Sequence, residues 1–180
     1  MRMISTNADG IAGDDYCDFL DISQNGRYVL FFSDSSNLVA GADAGYSNLF
    51  VKDTMSVAVT CASSSSTGQV GNGDSERGAI SADGRYVVFE SDADNLVAGD
   101  NNNASDIFLK DLQTGVVTRV FDNQGGSGDP DPFGVMQFSS DGRYVLFDTS
   151  TNNLVATDVN DRRDIFIKDL QTGVIKKNIS

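Results

Sequence analysis

The 180-residue chain has no histidine and no tryptophan, only two cysteines and two prolines, and half as many basic residues (13) as acidic ones (26). Each scarcity excludes something. Without histidine there is no Ser-His-Asp or Cys-His nucleophile and no imidazole ligand for a metal. Without tryptophan, an aromatic platform for sugars has to be built from Tyr or Phe. Cys17 and Cys61 are too few for a disulfide framework; two unpaired thiols are expected, with a single bridge as the alternative. The formal charge of −13 repels phosphate backbones and excludes nucleic acid as a partner. The longest apolar run, Tyr28 to Phe32, is too short to span a bilayer, so no membrane partner is expected. The residues Met1 to Ser5 are not followed by the apolar stretch of a signal peptide. The expectation is therefore either a mature form or a cytoplasmic protein.

What is abundant is repetition. Asn25-Gly26-Arg27-Tyr28, Asp83-Gly84-Arg85-Tyr86 and Asp141-Gly142-Arg143-Tyr144 lie 58 residues apart (84 − 26 and 142 − 84). The same offset carries Asn37-Leu38-Val39 onto Asn95-Leu96-Val97 and Asn153-Leu154-Val155. It also carries Leu49-Phe50-Val51-Lys52-Asp53 onto residues 107–111 and 165–169. A fixed period near 50 residues marks a repeat architecture in which each unit buries its apolar face on the next. With 39% hydrophobic and 22% charged residues the chain is globular rather than disordered.

Within the second unit, Ala79-Ile80-Ser81 ends a first strand and Asp83-Gly84 forms a tight turn, because Gly accepts the positive φ such turns need. Arg85 to Glu90 is a second strand, and its run Tyr86-Val87-Val88-Phe89 suggests cover on both faces. A polar loop, 91–105, follows, with Leu96 and Val97 plugging it back onto the sheet. Ile107 to Lys110 is a third strand and Val116 to Phe121 a fourth, separated by the turn 111–115. No stretch shows helical periodicity. Four antiparallel strands per period make the blade of an all-β β-propeller. The units run from 6 to 62, 63 to 122 and 123 to 180, after an edge segment, 1–5.

The segments Ile80 to Phe89, Asp106-Ile107-Phe108 and Asp111 to Gly115 resemble the TolB-type, WD-like β-propeller repeat, and the resemblance covers nearly the whole chain as three units. It implies a bacterial, periplasmic or extracellular interaction module. The loop between second and third strands makes this unit longer than the usual one.

Three blades are fewer than the four to eight of a closed propeller. Two open faces exposing several hundred Å² would forfeit on the order of ten kcal/mol at roughly 25 cal/mol per Å², comparable to the stability of a domain. A homodimer of three-bladed halves gives six blades and satisfies both faces, with Arg2 to Ser5 along the outer edge of the partner's last blade. Excision from a longer reading frame is the rival explanation.

Candidate chemistry lies in the polar loops. Asp100, Asn102 and Asp106 in the second repeat, and Asp158, Asn160 and Asp164 in the third, share the pattern D-x-N-x-x-x-D, whose alternating oxygens suit calcium. The bland alternative is that these residues brace turns by local hydrogen bonds. The first repeat, with Ala42, Ala44 and Asn48 at these phases, is not expected to bind. Asp129 and Asp131, with Asp14, Asp15, Asp18 and Asp74, would gather carboxylates at one channel end; paired there, they could hydrolyse a glycan, though solvated turn acids explain them as well. Arg27, Arg85 and Arg143 are expected to pair with blade carboxylates or carbonyls rather than to ring an anion. Tyr28, Tyr86 and Tyr144 read as core, Asn37, Asn95 and Asn153 as local loop ties, and 63–66 as a flexible polar connection. Non-enzymatic binding or scaffolding, of a protein or glycan ligand, is the expected role. A carboxylate-dependent hydrolase and a structural part of a larger secreted assembly are the alternatives.

Overall fold

The computed structural model describes residues 3–42, 45–121, 133–150, 154–155 and 162–177. These residues form three four-stranded antiparallel sheets and no helix. The first blade is β1 (Cys17–Ile22), β2 (Tyr28–Ser33), β3 (Asn48–Asp53) and β4 (Val59–Cys61). The second is β5 (Arg77–Ile80), β6 (Tyr86–Ser91), β7 (Asp106–Asp111) and β8 (Val117–Phe121). The third is β9 (Phe133–Phe138), β10 (Tyr144–Thr149), β11 (Asp164–Asp169) and β12 (Ile175–Lys177). Strand order in each sheet follows the sequence, so every blade is a plain meander.

The alternation of side chains explains how the blades stack. In β3, Leu49 and Val51 point towards the second blade, where they pack with Ile80, Val87, Phe89 and Phe108. In β7, Ile107 points towards the third blade and packs with Val145, Phe147 and Phe166. Each blade also stacks one ring pair: Phe31 on Phe50 and Phe89 on Phe108 at 5.7 Å, Phe147 on Phe166 at 5.9 Å. Strand β5 touches both β1 and β9, so the first strands of the blades are neighbours at the inner edge. Leu96 is buried in the core between the first two blades and anchors the polar loop, as its sequence position suggested.

Three expectations need correction. The Ser63-Ser64-Ser65 stretch is buried, not a flexible surface connection. The Ser64 and Ser65 carbonyls accept hydrogen bonds from Lys110 Nζ at 2.8 and 2.9 Å, and Ser63 Oγ donates to Asn48 Oδ1 at 2.9 Å. Asn37 and Asn95 do not tie their own loops. They reach back across the blade to the preceding crossing, donating to the carbonyls of Ala12 and Val70, each at 2.9 Å. Asn153 lies outside the described residues. Ile4, expected on a partner's blade, packs on the Phe31, Leu38 and Phe50 cluster of its own first blade; Arg2 lies outside the described residues. Cys17 is exposed, Cys61 is buried, and both are free thiols.

Candidate binding site at the inner hairpin turns

The turn joining first and second strands is built the same way in each blade. In the second, Ser81 Oγ donates to Asp83 Oδ1 at 2.6 Å, the same oxygen accepts the Arg85 amide at 3.0 Å, and the Tyr86 amide donates to Ser81 Oγ at 2.8 Å. Gly84 closes the turn with φ +76°, and a side chain there would also strike the Tyr28 ring. Ser139, Asp141 and Tyr144 repeat the network at 2.5–3.0 Å. Ser23, Asn25 and Tyr28 repeat it at 2.9 Å.

The arginine after each turn folds back along its blade. Arg27 meets Asp53 at 2.7 Å, Arg85 meets Asp111 at 2.8 Å and Arg143 meets Asp169 at 2.7 Å. Each guanidinium also stacks on the tyrosine beside it, 4.8–5.0 Å from the ring centre. The structural role expected for these arginines is the one observed. Their hydrogen bonds hold the Asp53 and Asp169 carboxyls well below the usual carboxylate range and bring Asp111 down to about 2.

These shifts have a fixed sign. A carboxyl whose pKa is depressed on folding adds stability that is complete above its unfolded value, 3.8 for Asp111, and is lost as pH falls through its folded value. The urea midpoint is therefore expected to stay level from about pH 7 to 5 and to fall between about pH 4 and 2. Asp111→Asn should make that acid limb shallower, and an unchanged limb would contradict the role given to the pair.

Three inner turns converge on a cavity of about 530 Å³ lined by Gln24, Asn25, Ala82, Asp83, Tyr86, Ser140, Asp141 and Gly142. Burial raises the Asp83 carboxyl, but the Ser81 hydroxyl, the Arg85 amide and the Arg85 charge outweigh it, so its pKa falls below the ordinary value. The Ser139 hydroxyl and the Arg143 amide lower Asp141 likewise. Both carboxylates are thus ionised at neutral pH. The arginines that would neutralise the mouth are turned away to Asp111 and Asp169.

Stacked four-stranded meanders with their first strands side by side define the architecture. The chain is a β-propeller. TolB from Acinetobacter baumannii superposes on the propeller with TM-score 0.56 at 16% identity, over 91% of this chain and 32% of that one. The β-propeller domain of the Trilobed protease from Pyrococcus furiosus gives 0.58 at 13%, over 91% and 42%. An acylaminoacyl peptidase from Pyrococcus horikoshii gives 0.54 at 11%, over 97% and 26%. The propeller thus spans less than half the length of each of these structures. Identities this low establish the fold shared with TolB, and a fold that serves a peptidase as well does not fix an activity. No family profile and no curated protein matches the sequence.

The proposed calcium residues of the second repeat do come together, but around an arginine. Arg119 of β8 sits 3.2 Å from Asp100 Oδ1 and 3.4 Å from Asp106 Oδ2. The Asn102 amide nitrogen donates to both Asp106 oxygens, at 3.1 and 3.2 Å. The guanidinium takes the place a cation would occupy, so this donor set does not fit calcium while Arg119 is there. Asp158 and Asn160 lie outside the described residues, and Asp164 opens β11 opposite Thr149. Among the described residues, no three carboxylate or thiol groups cluster as metal ligands.

The other candidate acids are latches. Asp14 accepts the Ser36 amide and hydroxyl at 2.9 and 2.8 Å, and Asp74 accepts the Ser47 amide at 2.9 Å. Asp15 and Asp18 each accept the amide of the residue that follows them, at 2.8 Å. Asp129 and Asp131 lie outside the described residues.

Sequence reasoning missed two groups. Lys52 and Lys110 are buried and point into the crossing before their blades; Lys168 points to the Val120 carbonyl. The signal was a lysine recurring every 58 residues inside an apolar strand. Arg119 has no such signal, because its phase holds Cys61 in the first blade. No helix among the described residues is long and apolar enough to cross a membrane.

Proposed function

We propose that the propeller is a non-enzymatic binding module whose contact surface is the mouth formed by the inner turns, and that its ligand is a protein presenting a basic segment. The observation that supports this reading is the division of labour among charges. Arg27, Arg85 and Arg143 are committed to Asp53, Asp111 and Asp169, whereas the Asp83 and Asp141 carboxylates and the Asn25 amide line a shared cavity. The excess of acid over base across the chain speeds encounter with a cationic partner. Against catalysis stand Asp14 and Asp74, each engaged with backbone amides. In keeping with the sequence resemblance, the setting is extracytoplasmic.

A fluorescent deca-lysine peptide tests the mouth. Asp83→Asn with Asp141→Asn is expected to weaken its binding about 3–10-fold, the effect of losing one or two surface ion pairs. Asp9→Asn with Asp15→Asn removes the same charge far from the turns and is expected to change little. Equal losses in both variants would reduce the attraction to net charge and end the proposal. Capture of a neutral oligosaccharide instead would move the reading to a glycan ligand stacked on Tyr86. Turnover of that oligosaccharide, abolished by Asp129→Asn with Asp131→Asn, would replace it with a hydrolase.

A further inference from the structure

The 58-residue repeat allows each surface to be compared with its own equivalents. Leu30, Val88 and Leu146 share a phase on the face that looks towards the following blade; they are 0%, 0% and 40% exposed. Leu49, Ile107 and Ile165, on the same face, are 0%, 0% and 48% exposed. The first two members of each set are covered by the next blade. The third has the same apolar character and no next blade within the chain.

The opposite face tells the complementary story. Ile80 faces the preceding blade and is 5% exposed, while its equivalent in the first blade, Ile22, is 46% exposed. Yet the first blade is dressed as one that follows another. Its crossing makes the bridge Thr6 to Ala12, the counterpart of Ser64 to Val70 before the second blade. Lys52 Nζ donates to the Thr6 and Asn7 carbonyls at 2.8 and 2.9 Å, as Lys110 does to Ser64 and Ser65. Ile4, half-buried, packs on the first blade's core at the phase of Ala62 and Val120.

We propose that the exposed face of the third blade docks on the exposed face of the first blade of a second copy, twice, closing a six-bladed ring. The surface that Leu146 and Ile165 need is the kind presented by Ile80, Val87 and Phe89. Among the described residues, the first blade presents Ile22 as the exposed counterpart of Ile80, while Val29 and Phe31, at the phases of Val87 and Phe89, are already buried, Phe31 with Leu38 and Phe50 of its own blade. Two copies give six blades, inside the range of closed propellers, whereas three would give nine. The two contacts are head-to-tail, and a two-fold rotation about the central axis closes them. Closure also completes the mouth, setting Asn25, Asp83 and Asp141 around it twice. It does not depend on what the mouth binds.

The test is sedimentation equilibrium of the chain at micromolar concentration, with far-UV circular dichroism and a cooperative melt confirming that each variant folds. The expected mass is twice 19.2 kDa. Because every contact uses both faces, Ile165→Asp alone and Ile22→Asp alone should each give 19.2 kDa particles. Mixing the two variants should restore dimers, since one of the two contacts then joins unaltered faces. A wild-type chain that stays at 19.2 kDa would overturn the proposal. So would a dimer that only one of the two variants disrupts, which marks like-to-like pairing, and so would assemblies growing beyond two copies. If Ile165→Asp fails to fold, Leu146→Ser and Val135→Ser, both on exposed side chains of the third blade, serve in its place, and Ile22→Ser serves in place of Ile22→Asp.

Discussion

Phe108→Ala is expected to cost about 3–5 kcal/mol of folding stability, the usual range for removing a buried aromatic ring. Phe108 is fully buried in the core between first and second blades and stacks on Phe89 at 5.7 Å. It shares its core cluster with Leu30, Leu49, Val87 and Leu96, which come from four different segments. Domains are stable by only about 5–15 kcal/mol, so roughly a fifth or more of the total would go. Urea unfolding of wild type and variant gives the difference directly. Met55, exposed in the turn after β3, is the control, and Met55→Ala should stay within about 0.5 kcal/mol of wild type. A cost below about 1 kcal/mol for Phe108→Ala would mean that the first two blades are not packed face to face.

The second large effect is expected at Lys110. Its ammonium is buried and donates to the Ser64 and Ser65 carbonyls and to Ser64 Oγ, at 2.8, 2.9 and 3.1 Å. Burial lowers its pKa, the sign of a charge held at some cost. Lys110→Met keeps the stem and removes that cost, but it leaves two carbonyls without this donor, each worth about 1–3 kcal/mol when unsatisfied. The orphaned acceptors outweigh the relief, and a net loss of about 2 kcal/mol is expected. Lys110→Ala also opens a cavity where the stem packed and should cost about 2 kcal/mol more. Urea midpoints of the two variants separate the contributions. A Lys110→Met protein as stable as wild type would show that the lysine does not hold the crossing in place.

These two residues also show what the sequence could and could not reveal. The ring of Phe108 was legible as core because it recurs every 58 residues within an apolar strand, where side-chain alternation assigns its face. The role of Lys110 was not, although it recurs as faithfully. Its partners are backbone carbonyls 45 and 46 residues earlier, and carbonyls carry no sequence signature. The turn residues Asp83 and Gly84 were readable because their chemistry is local, closed within six residues by Ser81 and Tyr86. The loop acids were misleading for the converse reason. Asp100 and Asp106 look like cation ligands in isolation, and only the fold brings Arg119 from β8 between them. The exposed faces needed both levels: repetition named the equivalent positions, and the structure supplied their unequal exposure.

A crystal structure of the 180-residue chain grown from solution at neutral pH tests ring closure most directly. The expected result is six blades about one axis from two chains, with Leu146 and Ile165 buried against the face around Ile22 of the other copy. A lone three-bladed arc, with Leu146, Ile165 and Ile22 all in solvent, would contradict it.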